Sequence, residues 1–291
     1  MRFTFLGTSA GEQFPGFWCR CEFCEQARQA GGRNIRSNSC AHLGPDCMID
    51  LNHWAPGQAL RFGVPFLESR YLLVTHSHED HLSPHVLSWR SMNPDLPLPI
   101  PEAMRTQLVG PRFSELPVMH VYGTAATCSL LQSGGKDPDP GRQRLSLHRV
   151  GHFQTFQAGD MLCHTLKANH EERNGLMGLN YIIERGGKTI LYALDTGWFF
   201  PETLERIAEF KYDLVVIEGT FGYGKDDPQH MNFEKVDRAL AFFRERQLLK
   251  ADAPFCISHI APHWTPIHDE IEPVMAENGI SVAYDGMVVE L

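Results

Sequence analysis

No apolar run in the 291-residue chain approaches the ~20 residues that a membrane-crossing helix needs, so a helical integral membrane protein is excluded. Met1–Leu6 carries one Arg and then a short apolar run of strand length, which does not resemble a secretory leader. Internal repeats and low-complexity tracts are missing too, which removes solenoid and collagen-like readings. Basic residues are in deficit: 26 Lys and Arg face 35 Asp and Glu, for a formal net charge of -9. A chain of that sign gains little from general attraction to phosphate backbones, so bulk nucleic-acid binding is disfavoured. The eight cysteines lack the spread of a disulfide framework. Cys19, Cys21 and Cys24 instead crowd together at a spacing suited to a metal, and the cytoplasm is the expected compartment. Cys40, Cys47, Cys128, Cys163 and Cys256 show no ligand spacing and read as small hydrophobes.

What is present is an ordinary globular composition, 43% hydrophobic and 21% charged, long enough to bury a core without disulfides. Short β-rich runs recur: Phe3–Leu6, Cys47–Leu51, Tyr71–Thr75, Met161–Ala168, Tyr181–Glu184, Thr189–Leu194, Leu214–Ile217, Phe255–Ser258 and Ser281–Tyr284. Helices are expected at Pro201–Glu209, at Asn232–Gln247 with Asn232 as N-cap, and at Asp269–Asn278. Asn93–Pro117 and Gly134–Gly141 read as loops around a strand-and-helix piece, Val118–Gln132. The pattern predicts one α/β domain over 1–291: a sandwich of two sheets with helices outside, and substrate-covering, lid-like elements near 85–150.

The strongest local signal is Thr75-His76-Ser77-His78-Glu79-Asp80-His81, directly after the apolar Tyr71–Val74. A turn leaving a strand can aim His76 and His78 at one metal, and Asp80 and His81 at a second. Imidazole with carboxylate suits Zn, Mn or Fe. Further ligands are expected at three other strand ends: His170, Asp195 and His259. Glu218 also ends a strand and reads as a supporting residue. The cluster Cys19-Arg20-Cys21-Glu22-Phe23-Cys24 supplies three thiolates for a tetrahedral structural zinc, and His263 is the candidate fourth ligand.

HxHxDH followed by lone His, Asp and His resembles the metallo-β-lactamase superfamily, and the likeness extends to Phe5-Leu6-Gly7-Thr8 and Tyr284-Asp285-Gly286-Met287. It implies an αββα sandwich of two mixed β-sheets with helices on the outer faces. It also implies one metal on His76, His78 and His170, a second on Asp80, His81 and His259, and Asp195 bridging the two. CxCxxC near the N-terminus narrows the likeness to the phosphonate-operon cyclic phosphodiesterases. There the fourth zinc ligand lies three residues beyond the last catalytic His, whereas His263 lies four beyond His259. The related coenzyme PQQ biosynthesis subgroup shares the Cys cluster but lacks an intact HxHxDH. His230 matches an extra active-site His of the cyclic phosphodiesterases and of tRNA 3′-processing nucleases, so Asp80 and His230 are the expected catalytic residues.

The resemblance therefore implies a phosphoric diester hydrolase with two divalent metals (Zn or Mn, with Fe allowed) and one structural zinc. Its expected partner is a small-molecule phosphodiester, not a membrane or a nucleic acid, with a homodimer left open. Other hydrolases of the fold (nuclease, lactonase, thioesterase) and a non-catalytic metal-binding protein are the alternatives. A nuclease wants a long basic arm, and Arg28, Arg33 and Arg36 form only a short basic run.

Overall fold

In strand β1 (Arg2–Gly7), Phe3 and Phe5 point to one side and Leu6 to the other, and all three are buried. Both faces of such a strand need cover, and that requirement generates the layers. The computed structural model describes residues 1–91, 116–135, 138–173 and 175–291. After β1, the strands of the first sheet are β2 (Cys40–Leu43), β3 (Cys47–Ile49), β4 (Tyr71–Leu73), β5 (Met119–Gly123) and β6 (Leu145–Arg149). Those of the second are β7 (Thr155–Ala158), β8 (Met161–Arg173), β9 (Leu176–Arg185), β10 (Lys188–Ala193), β11 (Leu214–Glu218), β12 (Phe255–Ser258) and β13 (Ile280–Val282). The last strand, β14 (Val288–Glu290), returns to pair with β1.

Among the described residues there are two seven-stranded sheets, in the orders β14-β1-β2-β3-β4-β5-β6 and β13-β12-β11-β10-β9-β8-β7. Each is mixed. In the first sheet β3 through β6 run parallel, and in the second β10 through β13 do. The remaining pairs are antiparallel. Phe3, Phe5 and Ile49 meet Tyr181, Tyr192, Leu214 and Val216 between the sheets. The other face of the second sheet, with Val215 and Ile217, is covered by α1 (Glu22–Ala30), α5 (Pro201–Ile207), α6 (Phe233–Glu245) and α7 (His268–Glu277). The other face of the first sheet is covered by α2 (Ala55–Arg61), α3 (Pro84–Ser88) and α4 (Ala125–Ser133). The result is the expected αββα sandwich. Among the described residues no helix is long and apolar enough to cross a membrane.

The expected strands and helices fall where the patterns put them, and Asn232 caps α6 by accepting from Lys235 N at 3.1 Å. Elements without a clean period escaped: α1, α2, α3, β2, β6, β7 and β14. The Asn93–Pro117 loop lies outside the described residues except at Leu116 and Pro117. The described part of 85–150 supplies most of α3, together with β5, α4 and β6. Arg36 departs from its reading as part of a basic run: it is buried, with its guanidinium donating to Thr8 Oγ1 (2.9 Å), Ala283 O and His268 Nδ1 (3.0 Å).

The two terminal motifs meet around Asp285. Its carboxylate accepts from Thr8 Oγ1 (2.8 Å), Ser37 N (2.7 Å), Ser37 Oγ (2.8 Å) and Gln58 Nε2 (2.8 Å). The glycines beside it are there for space. A Cβ on Gly7 would sit 1.9 Å from Asn38 O, and one on Gly286, at φ +90°, would sit 2.4 Å from the Phe62 ring. Asp285 thus ties the N-terminal strand, the C-terminal turn and α2 together, and it faces the buried Arg36 charge. Asp285→Ala leaves four donors without their acceptor. We expect it to cost about 1–3 kcal/mol, the range for leaving buried hydrogen-bond donors unsatisfied. Urea unfolding would show this as a lower midpoint at unchanged slope. A loss below ~1 kcal/mol would contradict this role for Asp285.

Candidate metal centre

Six of the seven candidate ligand residues, all but His170, follow the ends of parallel strands, where the chain stops pairing and its side chains can turn inward. The loop after β4 carries His76, His78, Asp80 and His81. Asp195 follows β10 and His259 follows β12, both in left-handed backbone (φ +46° and +56°). Such backbone costs a non-glycine residue of order 1 kcal/mol, and here it aims the side chain at the centre. His170 is placed differently from its reading as a strand-end residue. It lies inside β8, which runs on to Arg173, at the irregularity between Lys167 and Glu171. A bulge re-aims a side chain without ending the strand.

All seven residues converge. His78 Nδ1 lies 2.9 Å from His76 Nε2 and 3.2 Å from His170 Nε2. His81 Nε2 lies 3.2 Å from His259 Nε2, 2.5 Å from Asp195 Oδ2 and 3.5 Å from Asp80 Oδ2. Asp195 reaches both groups, since its Oδ2 is also 3.4 Å from His76 Nε2 and its Oδ1 is 3.3 Å from His259 Nε2. The ligand atoms of His76, His78 and His170 form one close set, and those of Asp80, His81, Asp195 and His259 a second.

The outer hydrogen bonds decide what the inner nitrogens can do. His78 Nε2 faces the carbonyl of Glu172 at 2.8 Å and must donate to it, which leaves Nδ1 as a lone pair. His81 Nδ1 donates to Asp50 Oδ2 at 2.7 Å. Thr75 Oγ1 donates to Asp50, so His76 Nδ1 donates to Thr75 Oγ1 at 3.0 Å. Thr220 Oγ1 donates to His259 O, so His259 Nδ1 donates to Thr220 Oγ1 at 2.8 Å. Four imidazoles therefore turn their inner nitrogens to the same small space, beside two carboxylates, an arrangement suited to metal cations. His170 Nδ1 is buried without a protein partner.

The charges agree. Burial opposes a charge on His81, but Asp195, Asp80 and Asp50 outweigh it and raise this imidazole well above its ordinary value. Burial, with His81 nearby, pushes His76 well below its own. Burial would raise Asp195, yet His259 and His81 hold it well below the carboxylate range. The donor set thus fits two divalent ions, the first on His76, His78 and His170, the second on Asp80, His81 and His259, with Asp195 able to reach both.

His230 stands at the rim. Its Nδ1 lies 3.2 Å from Glu218 Oε2 and 3.5 Å from Asp195 Oδ1. Burial lowers its imidazole, but the Glu218 charge and hydrogen bond win and raise it to about 9. It precedes α6 in a loop and does not open the helix; its backbone N donates to Asp227 Oδ1 at 3.1 Å. Glu218, fully buried, also accepts from Thr196 N (2.5 Å) and Met231 N (3.1 Å), which makes it the anchor of this rim.

The thiols form a separate site. Cys21 is the N-cap of α1 and Cys24 lies in its first turn, so the i, i+3 spacing puts them on one face. The three sulfurs lie together, and Cys19 Sγ is 3.3 Å from His263 Nδ1. The extra residue before His263 is absorbed by left-handed backbone there (φ +80°). Its Nε2 donates to Glu12 Oε2 at 2.6 Å. Three thiols and one imidazole at these distances fit a tetrahedral zinc.

A family model described as "Beta-lactamase superfamily domain" matches residues 45–250. A search of curated proteins gives no match. Among solved structures, a diphosphatase from the PhnP family superposes with a TM-score of 0.70 at 20% identity, over 100% of this chain and 98% of that one. Zn(2+)-bound PqqB from Methylobacterium extorquens superposes with a TM-score of 0.72 at 18% identity, over 100% of both chains. The short form of human tRNase Z gives 0.58 at 15% identity, over 100% and 99%. At these identities the likeness is one of fold.

Asp50, Thr75 and Thr220 were not singled out from the sequence. Asp50 ends the apolar run Cys47–Ile49 as Asp195 ends Lys188–Ala193, and that parallel was the available signal. Because Asp50 fixes the tautomer of His81, Asp50→Ala should weaken the metal held by His81, Asp80 and His259 by about 10–100-fold. Competition with a chelating dye measures this; unchanged affinity would show that His81 needs no such partner.

Proposed function

The chain belongs to the β-lactamase superfamily, and we propose that it works there as a metal-dependent phosphodiesterase opening a small cyclic phosphodiester. His230 carries the reading: a further imidazole, not needed as a ligand, stacked against His259 (ring centroids 6.2 Å apart, 9° between planes) and held by Glu218. When bound, two neighbouring divalent metals supply Lewis acidity toward phosphate oxygens and acidify water to a pKa of about 7.

The remaining work falls to side chains. With Nδ1 turned to Glu218 and Asp195, His230 has Nε2 free to donate to the oxygen that leaves phosphorus. A sugar alkoxide is a poor leaving group, so a proton delivered there lowers the barrier; such assistance is typically worth ~10²–10⁴-fold. Glu218 keeps His230 protonated and oriented. Asp80 lines the open side of the centre, where Gly11 packs against its carboxylate without a side chain of its own. The net charge of -9 favours a small diester over a long polyanion. CxCxxC with His263 supports the fold beside the site.

His230→Ala should lower turnover of an alkoxide-leaving cyclic diester by ~10²-fold or more. Turnover of bis(p-nitrophenyl) phosphate should fall far less, since nitrophenolate leaves without a proton, and metal content should stay unchanged. Equal losses on the two substrates would make His230 a phosphate-binding group instead. No metal-dependent turnover of either by the parent protein would favour a binding protein.

A further inference from the structure

A cavity of about 530 Å3 lies over the metal centre, and His78 and Asp80 line it together with Trp54 and Arg173. Trp54 caps α2 on the first sheet and Arg173 ends β8 of the second, so the two layers of the sandwich contribute one wall each. Neither residue has a place in the chemistry described above.

Trp54 is 50% exposed, an unusual position for an indole beside a polar centre. Its backbone is anchored. Its backbone N donates to Asn52 Oδ1 at 2.9 Å, as does Ala55 N at 3.1 Å. Asn52 is itself fully buried, and its Nδ2 donates to Asn38 O (2.9 Å) and Ser39 O (3.1 Å). A flat, apolar ring carried on an anchored backbone beside a metal centre offers stacking to another flat ring. Arg173 lines the same cavity, which it shares with Glu79 and His53.

We propose that Trp54 is a specificity-determining residue that stacks the base of a nucleoside cyclic phosphate, while Arg173 offsets the charge of its phosphodiester at the mouth of the site. The proposal rests on the phosphodiesterase reading and narrows it: the preferred diester carries a flat ring. Trp54 selects the ring, and Arg173 serves any anionic diester.

The test compares adenosine 2′,3′-cyclic phosphate with glycerol 1,2-cyclic phosphate on metal-loaded protein. The parent should prefer the adenosine diester. Trp54→Leu should raise its KM by about 5- to 150-fold, the range for losing one stacked base, with a several-fold smaller effect on the glycerol diester. Trp54→Phe should recover part of the loss, and Arg173→Gln should raise KM for both substrates. A parent without preference, or a Trp54→Leu loss equal on both, would overturn the proposal. Equilibrium binding of adenosine 3′-monophosphate, read by titration calorimetry, separates this outcome from failure of the phosphodiesterase reading. If neither diester turns over, that reading fails. Weaker binding in Trp54→Leu would then still support the ring site, and absent or unchanged binding would overturn it.

Discussion

Lone pairs cannot be packed against lone pairs in a protein interior unless something positive lies between them. That constraint governs this molecule. Four imidazoles have their outer nitrogens committed, to Glu172 O, Asp50, Thr75 and Thr220, so their inner nitrogens face one another and two carboxylates. The sandwich exists in a form that makes such a meeting possible. Parallel strands β4, β10 and β12 end on one side, and the bulged β8 brings His170 to the same place. Left-handed backbone at Asp195 and His259 is the local cost of turning their side chains inward.

The same loop serves both candidate metal sites. His259 belongs to the centre and His263 to the thiol cluster, and Ile260 between them is pinned to the N-terminal segment by Ile260 N to Thr8 O (3.0 Å) and Ala10 N to Ile260 O (3.3 Å). CxCxxC lies 235 or more residues before His259 in sequence, yet the segment that follows β1 pairs with the loop that follows β12, at Ser9 and Ile260.

Much of this was legible in the chain because its signals are local. HxHxDH sits within one turn, CxCxxC spans the start of one helix, and β-branched runs mark strands buried on both faces. What escaped was non-local. Asp50 supports His81 only after β3 and β4 pair in parallel. Thr220 gains meaning only beside His259, and Glu218, already read as a supporting residue, gains its partner only when His230 lies beside it. The bulge in β8 is set by its pairing with β9, so the run Met161–Ala168 gave no sign that the strand continues through His170. Trp54 reads as an isolated aromatic until α2 is laid against the first sheet.

Anomalous diffraction from crystals of the metal-loaded protein tests the two-cation arrangement most directly. Two peaks about 3.5–4 Å apart are predicted, one bound by His76, His78 and His170 and the other by Asp80, His81 and His259, with Asp195 between. A third belongs at Cys19, Cys21, Cys24 and His263. A single peak in the centre, or none beside His170, would contradict the arrangement.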